Sequence, residues 1–151
     1  REKLHLTAYY TLSWNERRFE ELWYDWYPDR NDNRHKLTLM ANYRFSGRFD
    51  VYAGWNWHSG NRTTVEGYQS HQFGHPNNLS LPDYHRLDLG MNFRKTTRKG
   101  NESIWNVSIY NAYCRMNPMF SSMQYNDYET IKGITYGIVP IIPSFSYTLK
   151  F

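Results

Sequence analysis

Apolar and polar residues alternate along this chain with a period of two. Leu4, Leu6, Ala8, Tyr10, Leu12 and Trp14 alternate with His5, Thr7, Tyr9, Thr11 and Ser13. Leu37, Leu39, Ala41, Tyr43 and Phe45 then alternate with Lys36, Thr38, Met40, Asn42 and Arg44, and Phe49, Val51, Ala53, Trp55 and Trp57 with Asp50, Tyr52, Gly54, Asn56 and His58. The pattern returns in Leu87, Leu89, Met91 and Phe93, set between Arg86, Asp88, Asn92 and Arg94. It returns again in Trp105, Val107 and Ile109, until Asn111 breaks the apolar side, and finally in Phe145, Tyr147, Leu149 and Phe151. Successive side chains of a strand point to opposite faces, so each run predicts a strand with one apolar and one polar face. No run of comparable length has the 3.6-residue period of an amphipathic helix. The expectation is an all-β chain of six strands.

The connections sort by length. Residues 46–48 and 95–101 are short, and Gly47 is expected to supply a positive φ in the tighter hairpin. Residues 15–34, 59–84 and 114 to about 136 are long. Long and short alternate, which puts every long connection at one end of the strands. Two solvents fit such two-faced strands. A soluble sandwich or ligand-binding barrel turns the apolar face inward, whereas a transmembrane barrel turns it to lipid and encloses a polar lumen. The runs span about 9–11 residues, the length a tilted strand needs to cross a bilayer and longer than the usual soluble strand. Aromatic residues also gather near the strand ends, as interfacial girdles require. The pattern therefore predicts a transmembrane antiparallel β-barrel segment, with long loops extracellular and short turns periplasmic. Six strands do not close such a barrel, so residues 1–151 are expected to be an incomplete barrel domain.

Composition narrows the picture. Aromatic residues make up 19% of 151, which argues against disorder, and no apolar run approaches the length of a membrane-spanning helix. A single cysteine, Cys114, excludes an internal disulfide framework. The net charge of +4 is too mild to point to nucleic acid, and the basic turn Arg94, Lys95, Arg98 and Lys99 lacks interleaved aromatics.

Three segments carry a family likeness. Residues 81–93, opening Leu81-Pro82-Asp83-Tyr84-His85-Arg86, resemble the third-from-last strand of bacteroidete-type TonB-dependent outer-membrane receptors. Trp105-Asn106-Val107-Ser108-Ile109-Tyr110-Asn111, followed by Arg115 and Asn117-Pro118, is similar to the next strand. The ending Val139-Pro140-Ile141-Ile142-Pro143-Ser144-Phe145-Ser146-Tyr147-Thr148-Leu149-Lys150-Phe151 is similar to the last. The resemblance implies the final six strands of a 22-stranded transporter for a scarce nutrient such as a siderophore, cobalamin or an oligosaccharide. The family's plug domain and TonB box are not represented in these residues. Implied partners are outer-membrane lipid, the rest of the barrel and its plug, the TonB complex acting through that plug, the barrel-assembly machinery, and a surface lipoprotein. No cofactor and no enzymatic activity are implied. The resemblance gives Phe145, Tyr147, Leu149 and Phe151 the role of a C-terminal assembly signal. The rival readings are a soluble ligand-binding β-barrel and a self-assembling outer-membrane pore.

Candidate chemistry is sparse. Trp23, Tyr24, Trp26 and Tyr27 crowd the first long connection beside Glu20, Glu21, Asp29 and Asp32, a set suited to stacking on sugar rings or on a cationic ligand. Tyr52, Asn56, Arg86, Asp88 and Asn92 are expected on a lumen-facing polar wall, with Arg86 and Asp88 placed to pair. His58, His71, His75 and His85 fall around the second long connection, but Gly74 and Pro76 disfavour a helical ligand spacing. They read as solvated loop residues, and no metal site is expected.

Overall fold

A computed structural model describes residues 2–21, 23–64, 76–98, 100–125, 131–137 and 139–151. The described residues hold no helix. The strands are β1 (Leu4–Leu12), β2 (Glu16–Phe19), β3 (Trp23–Pro28), β4 (His35–Arg44), β5 (Phe49–His58) and β6 (Arg62–Thr63). After them come β7 (Leu79–Ser80), β8 (Tyr84–Thr96), β9 (Glu102–Tyr110), β10 (Pro118–Tyr125), β11 (Ile131–Gly137) and β12 (Ile142–Lys150). Six of them form one sheet in the order β1-β4-β5-β8-β9-β12, with every neighbouring pair antiparallel. Among the described residues the sheet is open, and β1 and β12 are its edges.

The period of two fixes the register. Leu6 pairs with Ala41, Leu39 with Trp55, Ala53 with Leu89, Met91 with Val107, and Val107 with Phe145. His5 pairs with Asn42, Asn56 with Arg86, Asn92 with Asn106, and Asn106 with Ser146. A slip by one residue at any pairing would mix the two faces, which is why the alternation specifies the arrangement so strongly.

The apolar face has no cover. Leu6 is 67% exposed, Tyr10 60% and Phe145 63%, while Tyr27 and Leu81 are the buried hydrophobic residues among those described. Both of those lie outside the six-stranded sheet. Aromatic residues sit at both ends of the bare face. At the short-turn end Tyr43 meets Phe45 edge-on at 4.7 Å, and Trp105 packs on Tyr147 at 4.7 Å. At the other end the polar tips of the rings find partners: Tyr10 Oη lies 2.8 Å from His35 Nδ1, Trp57 Nε1 donates to Asp83 at 3.2 Å, and His85 Nδ1 lies 2.6 Å from Tyr113 Oη. Leu6, Ala8, Leu39, Ala41, Ala53, Leu89, Met91, Val107 and Ile109 fill the space between the two rows.

The polar face is cross-linked instead. Buried Asp50 accepts hydrogen bonds from Asn92 at 2.9 Å and Asn42 at 3.4 Å, and it pairs with Arg94. The Tyr52 ring crosses β8 at Gly90, where a Cβ would fall 2.2 Å from Cζ of the tyrosine, and its hydroxyl accepts from Asn106 Nδ2 on β9 at 3.1 Å. Gly90 is thus required by close approach, and three strands are tied through one side chain. Gly90→Val is expected to expel the ring and lower stability by about 1–3 kcal/mol. The urea midpoint checks this, and Gly90→Val combined with Tyr52→Ala should recover part of the loss.

Several expectations are corrected. Each long connection carries its own antiparallel hairpin, β2/β3, β6/β7 or β10/β11. Their strands are too short or too irregular for a visible alternation. Gly47 does not have a positive φ: among the described residues the left-handed glycine is Gly100, at 87° in the other short connection. The turn after β4 is closed by Ser46, whose Oγ accepts from the backbone amides of Arg48 at 3.2 Å and Phe49 at 3.1 Å. A side-chain acceptor there removes the need for a left-handed residue.

Candidate ligand cleft

At the long-connection end of the polar face, three connections converge around a cleft of about 470 Å³. Each is anchored by a short polar side chain. In the first, Asp29 and Asp32 are both 3% exposed. Asp29 accepts from the Asn31 amide at 2.8 Å and pairs with Arg17, while Asp32 accepts from the Asn15 amide at 3.0 Å and from Arg34 Nε at 3.3 Å. These bonds fold 29–33 back over the sheet and bring Arg30 and Asn31 to the cleft wall.

The second connection is stitched to the first. The Arg62 amide donates to the Arg30 carbonyl at 2.8 Å, and Asn33 Nδ2 donates to Asn61 Oδ1 at 2.8 Å. Asn61 and His58 line the cleft beside Tyr84. His58 and Tyr84 stack with centroids 4.7 Å apart and planes 3° from parallel.

Asparagine does the equivalent work in the third. Asn111, 1% exposed with φ 56°, donates from Nδ2 to the carbonyls of Arg115 (2.9 Å) and Val139 (3.0 Å), and its Oδ1 accepts from the Arg115 amide at 3.1 Å. Asn tolerates the left-handed region better than most residues, so it can end β9 and organise the following loop together. Asn117 acts as a surrogate strand. Its Oδ1 accepts from the His85 amide at 3.0 Å and its Nδ2 donates to the His85 carbonyl at 2.9 Å, on a stretch of β8 beyond the reach of its β9 pairing. Pro118, Met119 and Val139 then form an apolar wall.

The floor is Arg86. Its guanidinium bonds Asp88 through Nε at 2.9 Å and donates from Nη1 to the hydroxyls of Tyr84 at 2.9 Å and Tyr110 at 2.6 Å, while Cζ lies 4.0 Å above the Tyr110 ring. Nη2 also meets Asp88 at 2.8 Å, so all three nitrogens of this cation are engaged. The Arg86–Asp88 pair is the one their spacing predicts.

The remaining sequence-predicted residues are placed as follows. Tyr52, Asn56, Asp88 and Asn92 share the polar face with Arg86, and Asn56 accepts from Thr38 at 3.1 Å. Phe145, Tyr147 and Leu149 lie on the apolar face of edge strand β12, and Phe151 follows it, 98% exposed. Trp23, Tyr24, Trp26 and Tyr27 all fall in β3, but Trp26 is 63% exposed whereas Tyr27 is buried. Tyr27 is therefore not open to a stacking ligand. His58 and His85 are strand residues in ring contacts rather than solvated loop residues. His71 and His75 lie outside the described residues. Sequence reasoning missed Arg30, Asn31, Tyr84 and Tyr110 as cleft residues, because they come from distant segments with no shared spacing.

The fold and cleft thus define an all-β chain with one two-faced antiparallel sheet and a polar cleft at its long-connection end. Compared with protein-family models, curated proteins and solved structures, the chain matches none.

Proposed function

We propose that the chain forms the C-terminal part of the wall of a 22-stranded, TonB-dependent outer-membrane transporter that takes up a scarce nutrient such as a siderophore, cobalamin or an oligosaccharide. The observation that carries this reading is the bare apolar face, matched residue to residue across six strands and bounded by aromatic rows. Burying apolar surface is worth about 25 cal/mol per Å², so a continuous uncovered face of this kind calls for an apolar solvent. Its height suits a bilayer. His85 and Phe93 are eight residues apart on β8, about 27 Å along the strand and roughly 20 Å along the normal once tilted, near the apolar band of outer-membrane barrels.

In this reading the polar face lines the lumen and meets the plug, and the long connections stand outside the cell. The short turns lie in the periplasm. Energy reaches the plug through TonB, while this segment contributes wall, loops and the assembly signal ending at Phe151. Edge strands β1 and β12 pair with the remainder of the barrel, which removes the hazard of exposed edges.

Fractionation tests the reading. The protein is expected in the outer-membrane fraction, resistant to carbonate extraction, with heat-dependent mobility in detergent gels. Recovery as a water-soluble monomer would overturn it and favour the soluble barrel.

A further inference from the structure

The run Asp29-Arg30-Asn31-Asp32 has a charge pattern that local pairing leaves incomplete. Both carboxylates turn away from Arg30: Asp29 takes Arg17 and Asp32 takes Arg34. Arg30 itself is exposed, lines the cleft, and among the described residues its guanidinium has no partner. Arg86, at the floor, already has all three nitrogens engaged by Asp88, Tyr84 and Tyr110. One wall of the cleft therefore offers a free planar cation with Asn31 beside it, and another offers Pro118, Met119 and Val139.

We propose that this cleft binds a small organic carboxylate, with Arg30 gripping the anionic group and the apolar body of the ligand lying against Pro118, Met119 and Val139. A guanidinium holds a carboxylate through two parallel hydrogen bonds, and such charge-assisted bonds are about twice as strong as neutral ones. A cleft of about 470 Å³ falls within the size range of small-molecule sites. The backbone of both walls is held in place, that of Arg30 by the Arg62 amide on its carbonyl and that of Val139 by Asn111 Nδ2, while the Arg30 side chain is left to reach for the anion.

The site does not depend on the transport reading. A protein that fractionates with the outer membrane but binds no carboxylate would overturn this proposal alone.

The test uses the purified protein in detergent, with naphthoate as probe and its neutral counterpart naphthylmethanol as control, both followed by saturation-transfer NMR. Naphthoate is expected to bind about tenfold more tightly than the alcohol, the preference one charge-assisted contact supplies. Arg30→Gln should remove the preference while leaving the weaker binding of the alcohol unchanged, and Arg30→Lys should restore part of it. Because Arg30 is exposed, the unchanged urea midpoint of Arg30→Gln separates lost binding from lost folding. Equal binding of the two probes by the wild type, or naphthoate binding indifferent to Arg30→Gln, would overturn the proposal.

Discussion

Leu89→Arg is expected to lower the stability of the assembled protein by about 2–4 kcal/mol, the depth-dependent cost of a cation near the middle of a lipid-facing barrel surface. Leu89 sits midway between the aromatic rows, four residues from Phe93 and four from His85, paired with Ala53 on one side and Ile109 on the other. In water an arginine on this open, 39% exposed position would change stability by no more than about 0.5 kcal/mol and would improve solubility. The two solvents thus predict opposite results for one substitution. Ser144→Arg on the polar face is the control, expected to be near neutral. Urea midpoints of the detergent-extracted protein, together with its yield in the outer membrane, decide between them. A Leu89→Arg variant as stable and as abundant as the wild type would remove the lipid-facing assignment.

Arg94→Met is the second large effect. Asp50 is 3% exposed and answers to three donors, of which Arg94 alone is charged. Deleting the cation leaves a buried carboxylate against two amides, and stripping one partner from a buried pair typically costs about 3–5 kcal/mol. The double variant Asp50→Asn, Arg94→Met removes both charges and is expected to regain most of that loss. The difference between the single and the double variant in urea unfolding measures the coupling. A fully additive pair would mean that the contact contributes nothing.

Much of the sheet was legible because one signal repeated. Alternation over Leu4 to Trp14, and again over Leu37 to Phe45, specifies both the strand and the face, and matching apolar rows leave one register. The ends were less legible, since strand propensity fades before pairing does. β9 starts at Glu102, and its pairing with Lys150 places two oppositely charged side chains together where no apolar residue marks the strand. The loop hairpins were illegible for a related reason. β6 and β7 are two residues each, too short to display any period.

The cleft was hidden differently. Arg86 stood out on its face, but nothing in the sequence marked Tyr84 and Tyr110 as its partners. Asp29 and Asp32 were legible only as carboxylates beside the loop aromatics, and Asn111 only as a break in the apolar side of its strand. Their burial, and the long-range bonds they make, follow from three connections meeting above the sheet. No local pattern encodes that meeting.

The order of strands in the sheet has a bearing on how the chain acquires its shape. Every pairing joins strands that follow one another along the sheet, so each new strand adds to an edge already formed and no crossover must be threaded. The hairpins within the long connections shorten the effective gaps further, because β2/β3, β6/β7 and β10/β11 can close locally before the main strands meet. Sequence-local pairing reduces the loop-closure entropy lost before contacts form and favours fast, stepwise growth. Growth of this kind leaves an unpaired backbone on either side of the sheet, here along β1 and β12, and each can template a further strand.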